Sequence, residues 1–139
     1  MWSFNKNKTD LNSLIKTFIE SNERNLQLDF YRKNGEVLLQ IFKGYDVNLW
    51  EVDIETLEND IVYQLLFHKD KTANNDNLKR FKHSALFSDF KKVNFYNQNA
   101  YFYSVPIGSS EEIKSKIFEI LELIYDLGSN QVRYTLNAY

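Results

Sequence analysis

Leu11, Leu14, Ile15, Phe18 and Ile19 recur at i, i+3, i+4, i+7 and i+8, with Lys16, Glu20 and Glu23 on the opposite side. This spacing predicts a helix from about Thr9 to Glu23, with one apolar face and Thr9 or Asp10 as its cap. Two alternating runs follow, Leu26 to Lys33 and Glu36 to Lys43, on either side of Asn34-Gly35. That dipeptide favours a two-residue type I′ turn, because both of its positions require φ > 0. Closing such a turn sets Phe30 against Leu39, Leu28 against Ile41 and Lys33 against Glu36. A third strand is expected from about Val47 to Ile54, with Trp50, Val52 and Ile54 facing inward.

The middle of the chain supports two readings. Leu57, Ile61, Leu65 and Leu66 fit a helix capped by Thr56, while the run Ile61 to Phe67 fits a buried strand equally well. Residues 68–78 are polar and centred on Asn74-Asn75-Asp76-Asn77, so a mobile loop is expected there. A short helix over Asn77 to Phe90 would follow. A second hairpin is expected from Lys92–Tyr96 and Ala100–Ile107, and Pro106 marks an edge strand or a strand end. Ser109 and Glu112 offer a capping box for a final helix with Ile113, Ile117, Ile120, Leu121, Ile124 and Leu127 as its stripe. Phe118, Leu123 and Tyr125 widen that stripe, and Gly128 is placed to stop the helix. Val132, Tyr134, Leu136 and Ala138 then alternate with polar residues as a terminal strand. The elements add up to one α+β domain over residues 1–139. Its sheet is mostly antiparallel, with about five to six strands and the N- and C-terminal helices packed on one face.

Composition narrows the chemistry. The 139 residues carry 17 Lys+Arg against 19 Asp+Glu, a formal charge of -2, and 43% apolar side chains, enough for a real core. No cysteine is present, so disulfides, thiolate nucleophiles and Cys-ligated zinc are excluded. The first residues lack the apolar core of a secretory signal, and the longest uncharged stretch, Val93 to Ser110, is too polar to span a bilayer. A soluble cytoplasmic protein is expected. His68 and His83 stand fifteen residues apart in no zinc-binding pattern, and Gly35, Gly44, Gly108 and Gly128 never cluster into a phosphate-cradling loop. Neither a cofactor nor a metal is expected.

Two charged segments remain. Asp46, Glu51, Asp53, Glu55, Glu58 and Asp60 form a run of six carboxylates with no Lys or Arg among residues 46–60. It reads as a solvated face, as a docking surface for a basic protein with Trp50 or Tyr45 as anchor, or as a metal or acid–base site. The basic segment holds Lys69, Lys71, Lys79, Arg80, Lys82, Lys91 and Lys92, with Phe81, Phe87 and Phe90 interleaved. Such mixing of cations and rings is one way to hold single-stranded nucleic acid, although the acidic remainder of the chain opposes it. Phenylalanines packed inward beside solvated lysines are the plainer reading. In Tyr101-Phe102-Tyr103 successive rings face opposite sides, which suits either core packing or an interface.

The order helix, three-stranded meander, variable middle, hairpin, long helix and short strand resembles two groups of small bacterial proteins. One group is the immunity proteins of polymorphic-toxin and contact-dependent inhibition systems. The other is the chaperone-like domains related to type III secretion chaperones, whose terminal helix is similar to Glu119–Gly128 here. Neither group has a motif that carries a functional residue onto this chain. The resemblance implies a non-enzymatic protein-binding module, most simply an immunity protein that neutralises a cognate basic toxin. The alternatives are a secretion-chaperone-like binder, a nucleic-acid-binding domain using Lys79, Arg80, Lys82, Lys91 and Lys92, or a small enzyme built from scattered carboxylates and one histidine. A monomer or weak homodimer is expected, without membrane contact.

Overall fold

Asp10 begins the first helix, α1 (Leu11–Glu20): its Oδ1 accepts the Ser13 N–H at 2.9 Å. The computed structural model describes residues 10–67, 72–95 and 98–139, so Thr9, the other cap expected, lies outside the described residues. Leu11, Leu14, Ile15 and Phe18 are buried, as their spacing requires. The helix stops at Glu20, because Ser21 turns extended and its N–H closes onto the Thr17 carbonyl.

Strands β1 (Leu26–Arg32) and β2 (Val37–Lys43) pair antiparallel, with Phe30 opposite Leu39 and Leu28 opposite Ile41 as expected. Their turn differs from the expected one. Gly35 has φ 97°, while Asn34 is not among the described residues with positive φ, so this is not type I′. Arg32 N–H bonds the Glu36 carbonyl and Gly35 N–H bonds the Arg32 carbonyl, leaving a three-residue loop. A loop of that length closes with one left-handed residue, and glycine takes that position without a Cβ clash. Arg32, and not Lys33, therefore faces Glu36, in an ion pair of 2.6 Å. The register then shifts between Phe30 and Tyr31, where Leu38 is the extra residue of a bulge. The bulge returns Leu39 to the core, so the pairing beyond it is the expected one although the turn is not.

Residues 47–54 form no strand. Gly44–Val47 is a short helix, α2, and the place beside β2 goes to β3 (Asp60–Phe67). The strand in that place meets an apolar cluster on each face. Ile61, Tyr63, Leu65 and Phe67 fill one face of β3 while Val62 and Leu66 flank Gln64 on the other, whereas 47–54 would bring Glu51 and Asp53 onto one of its faces. This settles the ambiguous run as strand and leaves Leu57 outside it, exposed.

Helix α3 (Thr72–His83) begins five residues before the expected start at Asn77, so 72–78 is helical. Of the expected mobile loop, 68–71 lies outside the described residues. Buried Phe81 anchors α3, and Arg80, Lys82 and His83 in the last turn suit the negative end of its dipole. The helix stops at His83, and a 3-10 turn, Phe87–Asp89, follows. Strands β4 (Lys91–Phe95) and β5 (Gln98–Pro106) make the second hairpin. β5 is interior, so Pro106 marks a strand end and not an edge.

In α4 (Ser110–Tyr125) the Ser109 Oγ accepts the Glu112 N–H at 3.1 Å, but the Glu112 side chain does not complete the capping box. The helix ends before Gly128: Asp126 takes the left-handed conformation, φ 56° and ψ 43°. Leu123 remains exposed, so it does not widen the buried stripe. Strand β6 (Val132–Ala138) adds to β1, giving the antiparallel order β4-β5-β3-β2-β1-β6. This is the expected α+β class.

α1, α3 and α4 share one core with the sheet, where Phe18, Phe81 and Ile117 meet Phe30, Ile41 and Leu65. On the opposite face Phe42, Val47, Val62, Val93, Ala100 and Phe102 form a second, smaller core.

Candidate functional site

The second core is covered by an irregular segment, 48–59, in which exposure alternates. Trp50, Val52, Ile54 and Thr56 point toward the sheet, while Leu49, Glu51, Asp53, Glu55 and Leu57 point outward. The period of two that predicts a strand is real, but the segment lies across the sheet face and pairs with no strand. Trp50 sets its edge on Phe42, ring centroids 4.7 Å apart, and on Phe102 at 6.5 Å. Gly44 fixes the other end: a Cβ there would collide with the Leu57 carbonyl oxygen. Asp60 finishes the fold of the segment, its Oδ2 accepting the Leu57 N–H at 2.9 Å with Ser104 Oγ 3.1 Å away.

The six acidic residues therefore divide. Asp46 is buried and accepts the Asn25 N–H at 3.0 Å, which holds Asn25 at its positive φ of 60°. It is not on a docking face. Beside it Lys43 is also buried, its Nζ donating to the Ser21 carbonyl at the end of α1. Burial lowers the Lys43 pKa, and the neighbouring Asp46 charge partly opposes that. Asp60 is half-buried and serves the turn just described. Glu51, Asp53, Glu55 and Glu58 are exposed, with Asp53 3.4 Å from Lys91 Nζ. Neither expected anchor is free. Trp50 is packed beneath the segment, and the Tyr45 hydroxyl donates to the Glu23 carbonyl at 2.7 Å under the Arg24 guanidinium. The exposed apolar side chains of the segment are instead Leu49 and Leu57, at 68% and 71% exposure. Sequence reasoning missed both, although each sits out of phase with Trp50, Val52 and Ile54.

The basic segment lacks its rings. Lys79, Arg80, Lys82, Lys91 and Lys92 are exposed, but Phe81 and Phe90 are buried and only Phe87 reaches the surface. Arg80 lies 3.9 Å from Asp126, and Lys91 faces Asp53. Lys69 and Lys71 lie outside the described residues. Tyr101 and Phe102 are core side chains on opposite faces. His83 is exposed with Nδ1 2.7 Å from the Lys79 carbonyl, and His68 lies outside the described residues.

Beyond the segment's reach, the second sheet face carries a polar network that the sequence did not announce. Buried Asp29 accepts from Gln27 Nε2 at 2.7 Å, Gln40 Nε2 at 3.1 Å and Asn137 Nδ2 at 3.1 Å. Gln64 continues it through Gln40, and Thr135 links Asn137 to the Tyr31 hydroxyl. Every donor reaches Asp29 from β1, β2 or β6, so the network locks three strands together.

Among the described residues no helix is long and apolar enough to cross a membrane. Comparison with known proteins finds no family model, curated protein or solved structure that matches this chain.

Proposed function

We propose that this chain is a non-enzymatic protein-binding module whose docking surface is the outward side of segment 48–59. The outward register of Leu49, Glu51, Asp53, Glu55 and Leu57 carries this reading: three carboxylates lie between two exposed leucines. A partner that matches it presents Lys or Arg between apolar contacts. Charges arranged in this way speed encounter and reject wrong partners, while the leucines supply area to be desolvated. Sites of this kind need a rigid support, and Trp50, Val52 and Ile54 supply it from below.

The sharpest form of the proposal is an immunity protein that occupies a basic toxin domain. Its test has two stages. The tagged chain captures partners from lysate of its source organism at low and high salt. The captured protein is then expressed in a bacterium alone and together with this chain. The immunity reading expects salt-sensitive capture of one protein that is toxic alone and harmless in company. A harmless partner would sink the immunity reading, and recovery of nucleic acid would sink the protein-binding one.

A further inference from the structure

On the helix-covered side of the sheet, a cleft of about 420 Å³ opens between β5 and the first turns of α4. Tyr63, Tyr103 and Val105 line it from the sheet, and Glu112, Ile113 and Lys116 from the helix. Its size falls within the range of small-molecule sites.

Two polar groups here have no hydrogen-bond partner among the described residues. Tyr63 is 2% exposed and stacks on Tyr103 at 5.9 Å; its hydroxyl makes no hydrogen bond among the described residues and is not sealed from solvent, so it opens onto the cleft. Glu112 occupies the position from which a capping box reaches back to the helix start. Its carboxylate instead folds over Gly108, with Oε2 2.6 Å from where a side chain there would begin. It has no ion pair or hydrogen bond among the described residues. Lys116 is the cation of the cleft and is already engaged. Its Nζ lies 2.8 Å from Glu119 and 5.7 Å from the centre of the Tyr103 ring, and Asp89 acts on the same charge. The exposed Glu112 carboxylate is thus the charge of the cleft without an ion pair among the described residues.

We propose that this cleft binds a small organic ammonium ion, a primary amine on an apolar or aromatic body, between the Glu112 carboxylate and the Tyr63 hydroxyl. The ammonium donates to both oxygens, and the body lies against Tyr103, Val105 and Ile113. An anion would meet Glu112 at close range. The positive end of the α4 dipole disfavours a cation, but Glu111 and Glu112 in the first turn offset it. The cleft and segment 48–59 lie on opposite faces of the sheet, so this site stands apart from the docking surface.

The test is a methyl-labelled NMR titration of the full chain with phenethylamine and hexylamine, beside 2-phenylethanol and 3-phenylpropionate as neutral and anionic counterparts. The Val105 and Ile113 methyls are expected to shift saturably with the amines. Binding of phenylethanol should be about tenfold weaker or more, the difference that one charge-assisted hydrogen bond makes. Glu112→Gln, an exposed change that keeps the Ser109 cap, should weaken the amines to a similar degree. Tyr63→Phe should weaken them with the remaining spectrum intact. Equal affinity for amine and alcohol, tighter binding of the propionate, or no saturable shift with either amine would overturn the proposal.

Discussion

The Tyr125 hydroxyl donates to the Leu38 carbonyl oxygen at 2.6 Å, joining the last turn of α4 to the bulged residue of β2. A bulge leaves its extra residue outside the ladder, and here a buried side chain from another element serves that residue. The bulge itself exists because the three-residue turn at Gly35 shifts the register by one. A local feature of a loop thus decides which residue α4 must reach.

Tyr125→Phe removes that donor and leaves the Leu38 oxygen buried without it. The expected loss is about 1–3 kcal/mol, the cost of an unsatisfied buried group. Urea denaturation should show a lower midpoint with an unchanged slope. An unchanged midpoint would show that the hydrogen bond is not needed.

Alkaline pH should unfold the protein cooperatively. Burial raises the pKa of Tyr125, with the Glu36 charge adding to the effect, and burial likewise raises Tyr63, with Tyr103 and Glu112 adding. A raised folded pKa means that stability is complete below the unfolded value of 10 and is lost as pH climbs above it. Each such hydroxyl contributes a slope of about 1.4 kcal/mol per pH unit there. Lys43, lowered by burial, works in the opposite sense and adds stability only as pH rises to 10.5. Absorbance titration should show a group of tyrosines that ionise together with the loss of circular dichroism. Smooth ionisation of all nine near pH 10 would refute the burial argument.

Gly44→Ala should dislodge segment 48–59, because the new Cβ meets the Leu57 backbone and not a yielding side chain. The expected cost is about 3 kcal/mol, the upper end for overpacking. In a Trp2→Phe background the emission of Trp50 should move to the red as it leaves Phe42 and Phe102. Unchanged emission would mean that the segment tolerates the shift.

Asp29→Asn turns one acceptor oxygen into a donor facing the amides of Gln27, Gln40 and Asn137. A loss of about 1–3 kcal/mol is expected for the mismatch. Thermal unfolding should report it, and a neutral result would show that the amides reorient freely.

Helix and strand periodicities were legible wherever one face of an element meets the core. α1, α4, β6 and the pairing of Phe30 with Leu39 followed directly from them. The turn at Gly35 was not, since Asn34-Gly35 serves both loop lengths and only the Leu38 bulge reconciles them with the core. Segment 48–59 has the alternation of a strand because it lies on an apolar surface. Alternation reports the surface beneath a segment and not its hydrogen-bonding neighbours. The acidic run was visible as charge, but the withdrawal of Asp46 and Asp60 into structural roles depends on Asn25 and Ser104, which are distant in sequence. The Asp29 network is assembled from three strands for the same reason.

The most direct measurement is the affinity of a captured partner for two triple variants of equal charge change. One carries Glu51→Lys, Asp53→Lys and Glu55→Lys. The other carries Glu20→Lys, Glu111→Lys and Glu122→Lys, all exposed and away from segment 48–59. The docking account predicts about a hundredfold loss for the first and little change for the second at physiological salt. Equal losses would mean that net charge alone steers binding, and an unchanged affinity in the first variant would contradict the docking surface outright.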